Sequence, residues 1–317
     1  MKRMAILTRD CAGVNAAIRA AVRTAAPAGL EVLGVLRGYE GLIDGDFVRL
    51  DRRSVSGIIN AGGTILKTAR CERFFTAEGQ AAAVENIKAR AIDGLLVIGG
   101  NGSLTGAHML ASAHGVKVVG VPATIDNDLS GVDITIGADT AVNVALDALD
   151  KIRDTATSLE RIFVVEVMGR DCGYIAMQVA LAGGCEEVLL PEQDFDPVSM
   201  CREIRNGHAR GKISWIIITA EGKAKAQDVA AVITRDTGLE TRIAVLGHIQ
   251  RGGRPTAADR ILAARLGHAA VEALVDGKSD VCVHYKNGHL ELLPLETAIR
   301  PKTCPVADDY HLLKVLA

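Results

Sequence analysis

The chain's pattern predicts an α/β fold built on doubly wound, largely parallel sheet, and three features carry that expectation. Short runs rich in Val, Ile and Leu alternate with longer stretches of helical period. The runs are apolar at consecutive positions, as in strands covered on both faces. Glycines and acids cluster just after them, at the sheet edge where such folds gather ligands.

The alternation begins at once, with a strand at Met4 to Thr8, a helix at Ala16 to Ala26 and a strand at Glu31 to Leu36. Further buried strands are expected at Gly94 to Ile98, Val116 to Val121, Ile162 to Val167, Glu187 to Leu190, Trp215 to Thr219 and Ile243 to Leu246. Thr140 to Ala156 carries Val144, Leu146, Leu149 and Ile152 at helical spacing, and Ala257 to Leu274 carries Ile261, Leu262, Leu266 and Val271, so both read as amphipathic helices. There is no Pro- or Ser-rich tether. Any domains must therefore be divided by chain crossings, with a boundary near Gly137.

With 317 residues, 49% of them hydrophobic, the chain is long enough for one compact body or two small ones. Thirty-six basic against 38 acidic residues offer no positive field for nucleic acid or a membrane surface. Aromatic residues make up only 3%, which argues against base-stacking platforms. No apolar run approaches the ~20 residues of a bilayer span, and the run Met4 to Leu7 is too short for a signal peptide. The seven cysteines include no Cys-x-x-Cys pair, which suits reduced thiols in the cytoplasm better than a disulfide framework or zinc ribbon.

Three loops carry chemistry. In Val97-Ile98-Gly99-Gly100-Asn101-Gly102-Ser103-Leu104-Thr105-Gly106 a strand runs into glycines and a helix expected to start at Ser103. Such a turn exposes backbone N–H groups to an anion, or is a plain strand-to-helix turn. Its Gly-x-Gly-x-x-x-Gly spacing is one residue too long for a dinucleotide fingerprint, and no Gly-Lys-Ser/Thr marks a Walker A loop. In Pro122-Ala123-Thr124-Ile125-Asp126-Asn127-Asp128 two carboxylates follow a buried strand. A cation, donors or protonation must relieve their repulsion unless the acids merely form a turn. In Glu166-Val167-Met168-Gly169-Arg170-Asp171-Cys172-Gly173, with Arg161 upstream, a guanidinium flanked by glycine can grip phosphate, or pair with Asp171. Later, Glu221 and the stretch Glu240 to Gly253 add acids, Arg242 and Arg251 around His248.

Taken in order, Asn15-Ala16-Ala17-Ile18-Arg19, Gly99-Gly100-Asn101-Gly102-Ser103, Pro122 to Asp128, Met168-Gly169-Arg170 and Gly247-His248-Ile249-Gln250-Arg251-Gly252-Gly253 resemble the 6-phosphofructokinase family, nearly end to end. The resemblance implies two Rossmann-like three-layer domains, a phosphoryl-donor domain of residues 1–137 plus 250–300 and a fructose 6-phosphate domain of 138–249 plus 301–317. It implies transfer of a phosphoryl group to the 1-hydroxyl of fructose 6-phosphate, with Mg²⁺ as cofactor, by a cytoplasmic homotetramer with shared active sites. Asp126 would be the base, Thr124 and Arg170 would steady the travelling phosphoryl, and Asp128 would lie beside the metal with Asn101. Met168, Gly169, Glu221, His248 and Arg251 would hold the sugar phosphate, with Arg161 and Arg242 reaching in from a neighbour. Asp10, Tyr39, Arg70, Cys71, Gly100, Asn101, Gly102, Ser103 and Gly106 would line the donor site. An effector site for a nucleoside diphosphate or phosphoenolpyruvate would use Arg19, Arg23, Arg52, Arg153, Glu186, Arg210 and Lys212.

The chain departs from the family pattern on the donor side. The first loop, normally Leu-Thr-Ser-Gly-Gly-Asp, reads Leu7-Thr8-Arg9-Asp10, so a backbone nest for donor phosphates is replaced by an arginine that either compensates as a cation or fills the pocket. Asn101 stands where the family has a metal-associated Asp, and an amide drops a full charge. Gly102 and Ala123 replace the Asp and Lys of pyrophosphate users, which favours ATP on steric grounds. The alternatives are a pyrophosphate-dependent enzyme and a non-catalytic sugar-phosphate-binding paralogue.

Overall fold

The computed structural model describes residues 1–317. In chain order the elements are β1 (Arg3–Thr8), α1 (Val14–Ala25), β2 (Glu31–Val35), α2 (Tyr39–Asp44), β3 (Phe47–Leu50), α3 (Ala77–Ala89), β4 (Gly94–Gly99), α4 (Asn101–His114) and β5 (Val118–Pro122). There follow α5 (Ala138–Leu159), β6 (Ile162–Val167), α6 (Tyr174–Ala182), β7 (Glu187–Leu189), α7 (Pro197–Ala209), β8 (Trp215–Ala220), α8 (Ala226–Thr237) and β9 (Thr241–Val245). The chain closes with α9 (Ala257–Val275), β10 (Val281–Lys286), β11 (His289–Pro294), α10 (Leu295–Ala298) and α11 (Ala307–Leu316). Two compact units result: residues 1–140 with 251–302, and residues 141–250 with 303–317. No helix is long and apolar enough to cross a membrane.

The first unit is built on a seven-stranded sheet ordered β11-β10-β5-β4-β1-β2-β3, parallel except at its two edges. Its central strands β1, β4 and β5 are buried almost throughout, because their successive side chains serve opposite faces that are both covered. Met4, Ile6, Leu96 and Ile98 enter the core under α1 and α9, whereas Ala5, Leu7, Leu95 and Val97 enter the core under α2, α3 and α4. The second unit has a parallel four-stranded sheet ordered β7-β8-β6-β9, with Val164, Leu189 and Ile217 packed against Ile204 of α7 and Val229 and Ile233 of α8.

Helix ends follow side-chain chemistry. The hydroxyl of Thr76 accepts from Gly79 N–H to start α3, the carboxylate of Asp196 accepts from Val198 N–H ahead of Pro197 to start α7, and Thr256 accepts from Asp259 N–H to start α9. Glycines in the left-handed conformation stop α4 at Gly115 and α8 at Gly238.

Four details differ from the sequence reading. The helix after β4 starts at Asn101, not Ser103, because Gly100 occupies the cap position. Ile261 is exposed: the buried face of α9 runs through Leu266, Ala270 and Leu274. The last parallel strand is Thr241–Val245, and it is an edge strand in this chain, with Ile243 and Val245 exposed instead of covered on both faces. The edge strand β3 and the hairpin β10–β11 are additional to the expected strands, and Asn287-Gly288, both at positive φ, supplies the hairpin's two-residue turn.

Candidate active site

In the first unit β1, β4 and β5 lie side by side and parallel, so the loops after Thr8, Gly99 and Pro122 emerge along one edge. From β1 the chain proceeds first toward β2 and β3 and then returns to β4 on the other side. The crevice between the carboxyl ends of β1 and β4 is thus the topological switch point, where open α/β sheets bind ligands.

The loop after β1 is held down from above by residues 61–69. Asn15, buried on α1, donates to the Ala61 and Gly62 carbonyls at 3.1 Å and accepts from Ile65 N–H at 2.9 Å. Thr8 and Thr64 share a hydroxyl hydrogen bond at 2.8 Å. Arg9 donates to Thr68 Oγ1 at 3.1 Å and to the Ala69 carbonyl at 2.7 Å. Its stem lies so close over Gly99 that a Cβ there would sit 3.2 Å from Arg9 Cγ. The arginine therefore spans the switch point and closes the shortened loop against its neighbours. Asp10 beside it is exposed.

The loop after β4 presents Gly100, Asn101 and Gly102 at the amino end of α4. A Cβ added at Gly102 would meet nothing within 4 Å. Asn101 turns its amide nitrogen to the Ile299 carbonyl at 3.0 Å, and its Oδ1 accepts from Thr105 Oγ1 at 3.4 Å. Tyr39 is buried behind this loop, stacked on Phe74 at 3.9 Å between centroids, and donates to the Ser103 carbonyl at 2.6 Å. Burial pushes its hydroxyl pKa up. Only glycine fits at position 106, because a Cβ there would stand 2.7 Å from the Tyr39 ring. Arg70 is exposed; half-buried Cys71 shares a hydrogen bond with Glu40, and burial raises its thiol pKa.

The loop after β5 is rigid by construction. Asn127 stands at φ +51°, accepts from Thr135 N–H at 3.1 Å and donates to the Asp133 carbonyl at 3.1 Å. Thr135 Oγ1 donates to the Thr124 carbonyl at 2.6 Å, and Thr124 Oγ1 accepts from Asp126 N–H at 3.2 Å. Asp126 is buried, 3% exposed. Asp128 is half-buried two residues on. One carboxylate of this kind, completed by a donor's phosphates, suits Mg²⁺, which keeps its waters and is held through few protein ligands. Asn101, committed to Ile299 and Thr105, adds no charge to such a set.

In the second unit the switch point lies between β6 and β9, and the third loop forms there. Glu221 Oε1 accepts from the N–H groups of Gly169 at 3.3 Å and Arg170 at 3.1 Å. Gly169 at φ +141° and Arg170 at φ +51° complete this tight turn. Buried Gln250 accepts from Met168 N–H at 2.9 Å, which ties the turn to the segment carrying exposed His248. Arg251, the next residue, belongs to the first unit, and its buried Nε has no hydrogen-bond partner within the chain.

Arg161 and Arg242 are not with this group. They meet at the amino ends of β6 and β9, both paired to Glu240, Arg161 at 3.2 Å. A six-residue strand separates them from Met168 by ~20 Å. Among the expected effector residues, Arg153 donates to the Gly183 and Gly184 carbonyls, and Lys212 pairs with Glu186 at 3.2 Å, so these gather on one loop. Arg210 bonds the Asn206 carbonyl. Arg19, Arg23 and Arg52 belong to the first unit.

Two positioning residues emerge only from the folded chain. Gln250 is one member of the Gly247 to Gly253 motif with no role of its own in the sequence reading, and buried Asp259 lies outside every motif. The Asp259 carboxylate accepts from Gly137 N–H and Thr140 N–H, both at 2.8 Å, and so caps the start of α5. The Thr256-x-x-Asp259 capping pattern is the signal that points to it.

Comparison with known proteins agrees with this geometry. The family model for phosphofructokinase matches residues 3–274. The ATP-dependent 6-phosphofructokinase of Thermotoga neapolitana is 51% identical over all of both chains, and that of Clostridium botulinum 50% identical over all of both. Phosphofructokinase of Saccharomyces cerevisiae superposes with a TM-score of 0.88 at 34% identity; the alignment takes in 94% of this chain and 45% of the yeast chain. A pyrophosphate-dependent phosphofructokinase of Nitrosospira multiformis, 21% identical, shares the fold over 100% of this chain and 91% of its own, with a TM-score of 0.87. The two sheets, the loops at their switch points and an end-to-end identity near one half leave one assignment: the chain belongs to the phosphofructokinase family.

Proposed function

We propose that the chain transfers the γ-phosphoryl group of ATP to the 1-hydroxyl of fructose 6-phosphate, giving fructose 1,6-bisphosphate in glycolysis. The observation that carries this reading is the 51% identity over the full length to an ATP-dependent 6-phosphofructokinase. The first unit takes the phosphoryl donor and the second the sugar phosphate. Asp126, fixed in its braced loop at the tip of β5, accepts the proton of the attacking hydroxyl. Thr124 and Arg170 hold the migrating phosphoryl and its equatorial charge. Mg²⁺, held by Asp128 and the donor phosphates, would neutralise charge on the donor.

The open space at Gly102 favours ATP over pyrophosphate, because it leaves room for an α-phosphate. Met168, Gly169, Glu221, His248 and Arg251 bind the sugar phosphate, and the unpartnered Arg251 Nε is a ready donor to an anion. Arg161 and Arg242, a strand's length away at the exposed edge β9, serve a neighbouring subunit's site in a homotetramer. The Arg153, Glu186 and Lys212 cluster, with Arg19, Arg23, Arg52 and Arg210, binds an anionic effector. Seven cysteines held as thiols fit a cytoplasmic setting. A coupled assay with fructose 6-phosphate, Mg²⁺ and either ATP or pyrophosphate tests the reading. Turnover with ATP is expected; turnover with pyrophosphate alone reverses the donor assignment. Binding of fructose 6-phosphate without turnover on either donor identifies a sensor instead of an enzyme.

A further inference from the structure

In the second unit, three segments distant in sequence bring together Cys172, Glu192 and Cys304, whose ligand atoms all lie within 4.8 Å of one another. Cys172 lies in the turn that follows Arg170, with its N–H bonded to the Gly169 carbonyl at 3.0 Å. Glu192 follows β7, and Cys304 precedes α11. Both thiols are buried and hydrogen-bonded to each other.

The carboxylate of Glu192 divides its work. Oε1 accepts from Gly173 N–H at 2.8 Å, while buried Oε2 has no hydrogen-bond partner. A buried carboxylate oxygen left without a donor is costly unless a cation answers it. Room for that oxygen depends on Gly173, where a Cβ would stand 2.5 Å from Oε2. Two sulfurs and a carboxylate oxygen suit a borderline-soft divalent ion of the zinc class, at about 2.3 Å from sulfur and about 2.0–2.2 Å from oxygen.

We propose that Cys172, Glu192 and Cys304 form a binding site for a zinc-class divalent cation, with water as the fourth ligand. On binding, each thiol loses its proton to solvent as its sulfur–metal bond forms, and no electron is transferred. The ion would clamp the segment leading into α11 onto the turn that carries Arg170. The Cys172 thiol, raised in pKa by its hydrogen bond with Cys304, by burial and by the Glu192 charge, keeps its proton until a cation arrives.

The test uses the full-length chain, reduced and freed of metal, titrated with Zn²⁺ and with Co²⁺. One equivalent of Zn²⁺ per chain, a thiolate-to-cobalt charge-transfer band in the near ultraviolet, and loss of both in Cys304→Ser support the site. Glu192→Gln, which keeps an acceptor for Gly173, should bind more weakly while retaining the band. A chelator should lower the melting temperature of the zinc-loaded wild type, a readout independent of any variant's folding. No stoichiometric binding, binding unchanged in Cys304→Ser, or a Cys172–Cys304 disulfide whose reduction yields no metal-binding site overturns the proposal.

Discussion

Asn101→Asp restores the acid expected at this position in the family, and the structure gives it a cost. The wild-type amide donates to the Ile299 carbonyl at 3.0 Å, joining the start of α4 to α10. A carboxylate cannot donate, so the variant loses that hydrogen bond and sets two acceptors against each other, at about 1–3 kcal/mol. A negative charge in the first turn of α4 returns about 0.3–1 kcal/mol through the helix dipole. The net loss is about 1–2 kcal/mol, or a melting temperature lower by roughly 2–8 °C for a unit of this size. Acid reverses the effect, since the introduced carboxyl, once protonated, regains a donor for the Ile299 carbonyl; the stability gap between the proteins should narrow as pH falls through its titration. Thermal unfolding followed by circular dichroism at neutral and mildly acidic pH reads both effects. Equal stability at neutral pH, or a gap that widens in acid, shows that the Asn101 amide does not brace α4 in this way. In the same variant the Mg²⁺ concentration for half-maximal rate should fall and kcat should rise if the wild-type amide weakens the metal site.

Three further outcomes follow from the packing. Replacing Arg9 with Ser-Gly-Gly should lower KM for ATP in steady-state kinetics, because it frees the crevice between β1 and β4; an unchanged KM clears Arg9 of obstruction. Gly106→Ala drives a methyl into the Tyr39 ring and should destabilise the chain by about 1–3 kcal/mol in urea unfolding, and a neutral result means Tyr39 can move aside. Asp259→Ala strands the N–H groups of Gly137 and Thr140 and should cost at least about 2 kcal/mol. Burial raises the Asp259 carboxyl despite these bonds, so the folded chain holds that proton more tightly than the unfolded chain does. This group's contribution to stability therefore falls as pH rises from the usual aspartate pKa to the raised one, and the alanine variant should lose that slope.

Strands such as Met4 to Thr8 and Ile162 to Val167 are legible because consecutive apolar positions, in a chain without long hydrophobic runs, mark a strand covered on both faces. The start of α4 is less so: Ser103 looks like a cap, yet its carbonyl serves Tyr39 while backbone conformation at Gly100 opens the helix. Ile261 misleads because a helical repeat gives a face but not its phase against a neighbour. The candidate site is legible as motifs. What joins them is not: the Gln250 bond to Met168, the Glu221 cradle under Arg170 and the meeting of Cys172 with Cys304 all depend on tertiary folding across long stretches of chain. The meeting of Arg161 with Arg242 at Glu240 belongs to the same class: their positions at the starts of β6 and β9 put them at the amino ends, but the pairing of those two strands is tertiary.

The proposed chemistry stands or falls with Asp126, which is assigned the removal of the sugar hydroxyl's proton during transfer from ATP. Its most direct test is the rate of fructose 1,6-bisphosphate formation by Asp126→Asn against wild type at saturating ATP, Mg²⁺ and fructose 6-phosphate. A fall in kcat of about 10²–10⁴-fold with unfolding midpoint and sugar-phosphate affinity preserved is the expected result. A kcat within tenfold of wild type would contradict the assignment.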